Sequence, residues 1–216
     1  LYPGLIAADT NLGLTEIDAV EATVDTREIG WFNPHLRTEA ALNADSELIP
    51  VARSNGVLTA LSVPRGRGVA GRSALIRMAG PDWEAMALAA PAALHIQWPE
   101  FGEPRGRKAK AGPDKDVDRK KDGEEEARLS EIEHLTEAFE RARAYGKAKA
   151  AQGKKDAVPI VPDARWEALL PAVERRIPVL IHANRADPIR SAVRWADGLD
   201  LRAVICGGRD AAGVAE

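Results

Sequence analysis

Residues 177–208 read IPVLIHANRADPIRSAVRWADGLDLRAVICGG, and this stretch decides the fold class. An apolar strand over 177–181 is followed by a helix that opens at Asp187-Pro188, and then by a second apolar strand over 201–205. A strand, a helix and a strand joined by short connections form a βαβ unit, whose two strands are parallel neighbours. The stretch therefore predicts an α/β protein.

Further strands are predicted by short apolar runs that Gly, Pro or Asn residues bound. Leu1–Ala8 is typical of a fully buried strand, Val57–Val63 of a second, and Ser73–Met78 of a third, less regular one. Pro81–Ala90 predicts a helix with proline in its first turn. Together with 177–208, these runs predict alternating strands and helices along the chain.

The segment 102–127 differs in kind from the rest, because it is nearly all Lys, Arg, Asp, Glu, Gly and Pro. Such a composition buries too little apolar area to offset the entropy of ordering, so we expect a charged, mobile insertion. After it, Leu129–Ala150 predicts a helix, because apolar residues such as Leu135 and Phe139 recur at spacings of three and four.

Composition limits the classes of protein. The 216 residues carry 30 Lys and Arg against 33 Asp and Glu, and this near balance argues against a nucleic-acid-binding protein. No apolar run is long enough to span a membrane, and the composition is typical of a soluble globular protein. A single cysteine, Cys206, excludes internal disulfides and a cysteine-based zinc site. The chain opens at Leu1 without Met or a signal peptide, so we interpret it as part of a longer chain and predict no compartment.

Polar residues follow the predicted strands at three places: Asp9 to Asn11, His182 to Asp187, and Cys206 to Asp210. Parallel strands present their C-terminal ends at one rim, where α/β proteins carry their chemistry. His95 follows another apolar stretch and is expected at the same rim. A structural histidine at His182 and an inert thiol at Cys206 are the alternatives to functional roles.

The segment Gly66–Gly71 (GRGVAG) has the spacing of a dinucleotide-binding loop. That loop needs a helix directly after it, to place its N-terminus against the pyrophosphate. The following residues, SALIRM, are typical of a strand instead. The sequence therefore favours a flexible glycine-rich loop at the rim over a nucleotide site.

Three strings resemble the metal-dependent amidohydrolases: 3–14 (PGLIAADTNLGL), 33–64 (NPHLRTEAALNADSELIPVARSNGVLTALSVP) and 177–208. The last two resemble the bacterial imidazolonepropionase-like branch. The resemblance implies a (β/α)8 TIM-type barrel, a fold of about 250 residues. It thus predicts that 1–216 form one partial, incomplete barrel domain holding roughly the first six strands.

In that family one or two divalent metals bind at the rim, and the resemblance maps their ligand positions onto this chain. The first-strand histidine pair falls on Asp9 and Asn11, and the fifth-strand histidine is kept as His182. The sixth-strand histidine falls on Gly207, and the bridging lysine falls near His95. The metal motifs are thus degenerate, and we expect any metal, zinc in the family, to be held weakly.

The resemblance implies a hydrolase that cleaves C–N bonds of a cyclic amide or peptide-like substrate by metal-assisted attack of water. The alternative is a catalytically inactive barrel that serves as a binding or assembly module, and the substituted ligand positions favour it. In either case the missing strands leave open sheet edges, which we expect the rest of the parent chain or an oligomer to cover.

Overall fold

The computed structural model describes the backbone of residues 3–100, 116–152 and 159–214 and, except at 116–125, their side chains. The strands are β1 (Leu5–Thr10), β2 (Val57–Ser62), β3 (Gly68–Arg77), β4 (Ala87–Gln97), β5 (Val179–Ala183) and β6 (Ala203–Gly207). The helices are α1 (Leu48–Ser54), α2 (Trp83–Met86), α3 (Asp116–Ala150), α4 (Ala164–Val173) and α5 (Ala186–Gly198). Short 3-10 helices cover Glu21–Thr23, Thr38–Ala41 and Ala211–Gly213.

In the described part of the chain, six strands form one sheet in chain order. β1 and β2 are parallel, and so are β4, β5 and β6, as the βαβ pattern of 177–208 predicts. The sheet curls into a half-barrel that helices cover on one side. The predicted fold class, an incomplete TIM-type barrel of about six strands, is confirmed.

β3 departs from a simple (β/α)8 pattern, because it runs antiparallel to both β2 and β4. The connection between β2 and β3 covers only residues 63–67, whereas a parallel crossover needs a dozen residues or more. The predicted helix over Pro81–Ala90 shrinks to the single turn of α2, and residues 87–90 belong to β4. The short connection 63–67 thus makes β3 run antiparallel to β2.

The predicted glycine-rich loop is wrong in part, because Gly68–Gly71 are the first residues of β3. Segment 31–37 runs beside them, with isolated bridges from Phe32 to Val69 and from Arg37 to Arg72. A Cβ on Gly68, whose φ is +56°, would lie 2.3 Å from the carbonyl oxygen of Trp31. The glycines therefore serve this close backbone approach, and no helix follows that could hold a pyrophosphate.

The larger of two apolar clusters lies between the sheet and α3, α4 and α5. Phe139 of α3 is fully buried there and packs edge-on against Trp195 of α5, with ring centroids 5.2 Å apart. The predicted helix over 129–150 is confirmed, and α3 begins earlier, at Asp116. Of the charged segment, 102–115 lie outside the described residues and 116–127 belong to α3, so its mobility stays a prediction.

Alternation along the strands separates the outer face of the sheet from its inner face. Leu94 and Ile96 of β4, and Ile181 of β5, belong to the cluster under the helices. Because side chains alternate along a strand, the intervening His95 and His182 face the inside of the barrel. The fold thus places two histidines on the concave side of the sheet.

β1 and β6 form the two edges of the sheet. Contrary to the prediction of a fully buried first strand, Leu5 and Ile6 of β1 are 62% and 67% exposed, and Val204 of β6 is 48% exposed. An edge strand has a neighbour on one side only, which leaves these side chains uncovered. Within the described ranges, none of the helices is both long and apolar enough to cross a membrane.

Candidate functional site at the barrel rim

Two histidines form the centre of the site. β4 and β5 are parallel neighbours in which His95 lies opposite Leu180 and Gln97 lies opposite His182, so the two histidines are diagonal neighbours on the same face of the sheet. Nδ1 of His95 is 2.9 Å from Nε2 of His182, and the ring centroids are 5.2 Å apart. Both side chains are buried. The sequence predicted this shared position from the apolar runs before each histidine.

The histidine pair is uncharged at neutral pH. Burial lowers the pKa of His95 to about 3, and the neighbouring His182 and the guanidinium of Arg65 act in the same direction. Burial also lowers the pKa of His182; Asp9 opposes this effect and Arg65 adds to it. One ring therefore donates the shared hydrogen bond and the other accepts it. Nε2 of His95 is buried without a hydrogen-bond partner among the described residues.

Asp9 reaches the same region from the first strand. The register between β1 and β2 shifts between Ala7 and Thr10, and this irregularity lies at Asp9. Its negative charge acts on the pKa of His182 in β5 and of Cys206 in β6. β1 and β6 lie at opposite edges of the sheet, which curls into a half-barrel.

Arg65 is the residue of the site that sequence reasoning missed. It follows β2, and its Nη2 lies 2.8 Å from Oδ1 of Asp9. The backbone N–H of Arg65 donates to the carbonyl oxygen of Thr26 at 2.6 Å, which holds the loop. The only sign of this role in the sequence is the position of Arg65 just after the predicted strand Val57–Val63.

Asn11 does not join this group. Its Nδ2 donates to Oγ1 of Thr15 at 3.1 Å, within the turn that follows β1. Throughout the described ranges, no hydrogen bond or ion pair links Asn11 to Asp9, His95 or His182. The structure thus brings His95 and His182 into contact, whereas Asp9 acts on His182 through its charge and Asn11 stands apart.

The end of β6 offers no further ligand of the expected kind. Gly207 has a φ of +87°, and a Cβ there would lie 2.6 Å from Oδ1 of Asn184. A histidine at this position would therefore need the backbone and Asn184 to move. Cys206 lies opposite His182 in the sheet, and burial, more than the charge of Asp9, raises the pKa of its thiol. A raised pKa keeps the sulfur protonated and unreactive.

The residues present do not fit the catalytic zinc that the resemblance implies. Such an ion takes three protein ligands, mostly histidines, and leaves a fourth position open. Among the described residues, no group of three or more His, Cys, Asp or Glu side chains is arranged to hold a metal ion. The carboxylate of Asp9 is engaged by Arg65, and the facing nitrogens of the two imidazoles are engaged with each other.

Comparisons with known proteins agree with the fold. No family model matches the chain, and no curated protein matches it. The crystal structure of an amidohydrolase from Thermotoga maritima MSB8 is similar, with a TM-score of 0.76 and 24% sequence identity. The match covers 94% of this chain and 51% of that chain, so this chain spans about half the length of its structural neighbour. The chain has an amidohydrolase-like fold, in the form of a partial TIM-type barrel.

Proposed function

We propose that this chain is a barrel of the imidazolonepropionase-like branch of amidohydrolases that binds a small amide-containing compound at its rim without metal-dependent hydrolysis. The observation that carries the proposal is the ion pair between Asp9 and Arg65 at 2.8 Å. Asp9 is the carboxylate whose charge acts on His182, and its pairing with Arg65 occupies an oxygen that a metal would need. The chain is thereby a binding module rather than a hydrolase.

The chemistry of the rim matches an amide. Arg65 offers N–H donors and Asp9 offers carboxylate oxygens, and their side chains are 38% and 42% exposed. A donor and an acceptor side by side complement the carbonyl oxygen and the N–H of a cyclic amide or a peptide-like compound. The charge of Arg65 acts on both His95 and His182, the neutral pair on the concave face of the sheet.

A second candidate is the hydrolysis of C–N bonds with a divalent ion, zinc in the family. Two observations favour it: the fold is that of an amidohydrolase, and two imidazoles lie together on the concave face of the sheet. Nε2 of His95, buried and without a partner among the described residues, is also a potential ligand. Two imidazoles alone fall short of the three protein ligands of a catalytic zinc.

Metal content and turnover distinguish the two candidates. The purified protein, with and without added Zn²⁺ or Mn²⁺, is assayed on hydantoins and N-acetyl dipeptides, with a metal-dependent amidohydrolase as positive control. We expect substoichiometric metal and no hydrolysis. Binding of a hydantoin, followed by calorimetry, should weaken at least tenfold in Arg65→Gln. Zn²⁺-dependent turnover that is lost in His182→Ala and kept in the exposed control His35→Ala would establish the hydrolase instead.

The open sheet edges carry a separate proposal on partners. Exposed Leu5, Ile6 and Val204 leave β1 and β6 uncovered, and we propose that further strands, from the rest of a longer parent chain or from an oligomer, complete the barrel. Sedimentation of the purified chain tests the second source. A concentration-dependent dimer that Ile6→Lys dissociates supports an oligomer, and a monomer at all concentrations leaves the parent chain as the source.

A further inference from the structure

We propose that a pocket beside Trp31 is a second binding site, which takes an uncharged aromatic amide. The pocket has a volume of about 350 Å³, which is the size of a small-molecule site. Neither histidine of the buried pair lines it, nor does Asp9 or Arg65. The inference therefore goes beyond the proposed function and does not depend on it.

One wall of the pocket is an indole whose backbone is held on both sides. The N–H of Val69 donates to the carbonyl oxygen of Trp31 at 2.8 Å, and the N–H of Asn33 donates to the carbonyl oxygen of Val69 at 2.8 Å. The side chain of Asn33 donates to the carbonyl oxygens of Ile29 and Gly30, at 3.2 and 3.4 Å. The segment that carries Trp31 is thus in place before a ligand arrives, which lowers the entropy cost of binding.

The ring of Trp31 is supported by its neighbours and still accessible. Its Cε3 lies 3.2 Å from the position that a Cβ on Gly68 would take, and the ring centroids of Phe32 and His134 are 5.3 and 5.9 Å away. Leu135, which is buried, also lines the pocket. Trp31 nevertheless remains 44% exposed. A planar ring that stacks on the indole would remove this apolar surface from water.

The polar edge of the pocket is a charge-balanced pair. Nη2 of Arg67 lies 2.7 Å from Oε1 of Glu131, and both residues line the pocket. Within the described ranges, this is the one hydrogen bond between side chains that either residue makes. The remaining N–H groups of Arg67 and the second oxygen of Glu131 complement the carbonyl oxygen and the N–H groups of an amide. Glu131 would repel a ligand carboxylate and Arg67 a ligand cation, so the pair favours an uncharged group.

The probe is benzamide, and its charged analogues benzoate and benzamidine have nearly the same shape. Ligand-observed saturation-transfer NMR gives the affinity of each for the whole chain. The indole N–H signal of Trp31, assigned by its loss in Trp31→Phe, locates the site. We expect benzamide to shift that signal saturably and to bind more tightly than either charged analogue.

The variants test the indole and the charge pair separately. Trp31→Ala should weaken benzamide binding about tenfold, because the stacked ring loses its partner. Ile29→Ala is the matched control in the same loop, since Ile29 is 98% exposed and does not line the pocket; it should bind benzamide as wild type does. In Glu131→Gln, benzoate should bind more tightly than benzamide, because Arg67 has lost its counter-ion. This reversal tests the pocket even if circular dichroism shows that Trp31→Ala is unfolded.

Three results would overturn the inference. Benzamide that leaves the Trp31 signal unshifted would show that no aromatic ring enters this pocket. Equal affinities of folded Trp31→Ala and Ile29→Ala would show that the indole does not hold the ligand. Tighter binding of benzoate or benzamidine than of benzamide to wild type would show that the pair of Arg67 and Glu131 does not favour an uncharged group.

Discussion

Replacing Phe139 by alanine tests whether the helical layer holds the barrel together. The ring is fully buried between the sheet and α5, and it packs edge-on against Trp195 at 5.2 Å. Burial of a phenylalanine side chain contributes about 1.5–3 kcal/mol. The cavity that alanine leaves adds about 24 cal/mol per Å³, so about 60 Å³ of residual cavity costs about 1.5 kcal/mol. The sum, about 3–5 kcal/mol, agrees with measured Phe→Ala losses in protein cores.

The assay is urea denaturation followed by tryptophan fluorescence and circular dichroism. With an m-value of about 2 kcal/mol/M, a loss of about 4 kcal/mol lowers the midpoint by about 2 M. Leu129→Ala is the matched control on the same helix, because Leu129 is 49% exposed and its loss should cost less than about 1 kcal/mol. A loss below about 1 kcal/mol for Phe139→Ala would show that α3 does not pack on the sheet as described.

Two further predictions concern the histidine pair and the glycines. Because the pKa of His95 is lowered to about 3, the unfolded chain binds more protons between about pH 6.5 and 3, and stability falls on acidification by up to about 1.4 kcal/mol per pH unit. Urea denaturation at pH 7 and 5 should show that the free energy of unfolding falls less in His95→Gln than in wild type. In the control His35→Gln it should fall as much as in wild type. An equal fall in all three proteins would contradict the lowered pKa of His95. Gly68→Ala should destabilise by more than about 2 kcal/mol, because its Cβ would collide with the carbonyl of Trp31, whereas Gly198→Ala, with no atom within 4 Å, should be neutral or stabilising. Thermal unfolding of the two variants is compared, and similar melting temperatures would refute the close approach of Gly68 to the carbonyl of Trp31.

Local patterns were enough to predict much of the fold. The three- and four-residue spacing in 129–150 predicted the part of α3 that packs on the sheet, because helical periodicity directly reports which face is buried. The apolar runs before His95 and His182 predicted that both face one rim, and the structure places them on the neighbouring strands β4 and β5. Strand direction was harder, because the apolar run 73–78 is compatible with either direction. The length of the connection 63–67 carried that information instead.

The electrostatic partner of Asp9 could not be predicted in the same way. Asp9 and Arg65 are distant in sequence, and no periodicity links them. A long flexible side chain reaches its partner only after β1 and β2 have paired, so the contact depends on tertiary structure. The resemblance identified the ligand positions that had been substituted, but it did not indicate which side chain pairs with Asp9. The ion pair of Asp9 and Arg65 can therefore be identified only in the folded structure.

The antiparallel course of β3 has a consequence for the order of folding. In the meander β2–β3–β4, Ser62 pairs with Ala74 and Ser73 with Ala93, so its loops are short. The pairing of β4 with β5 joins Leu94 to Val179 and closes a far longer loop. Loop-closure entropy favours the short loops, and we expect the meander to form first and β5 to dock on it later. Amides of β3 should gain protection before those of β5 in pulsed hydrogen exchange, and the reverse order would show that the helical half of the barrel nucleates folding.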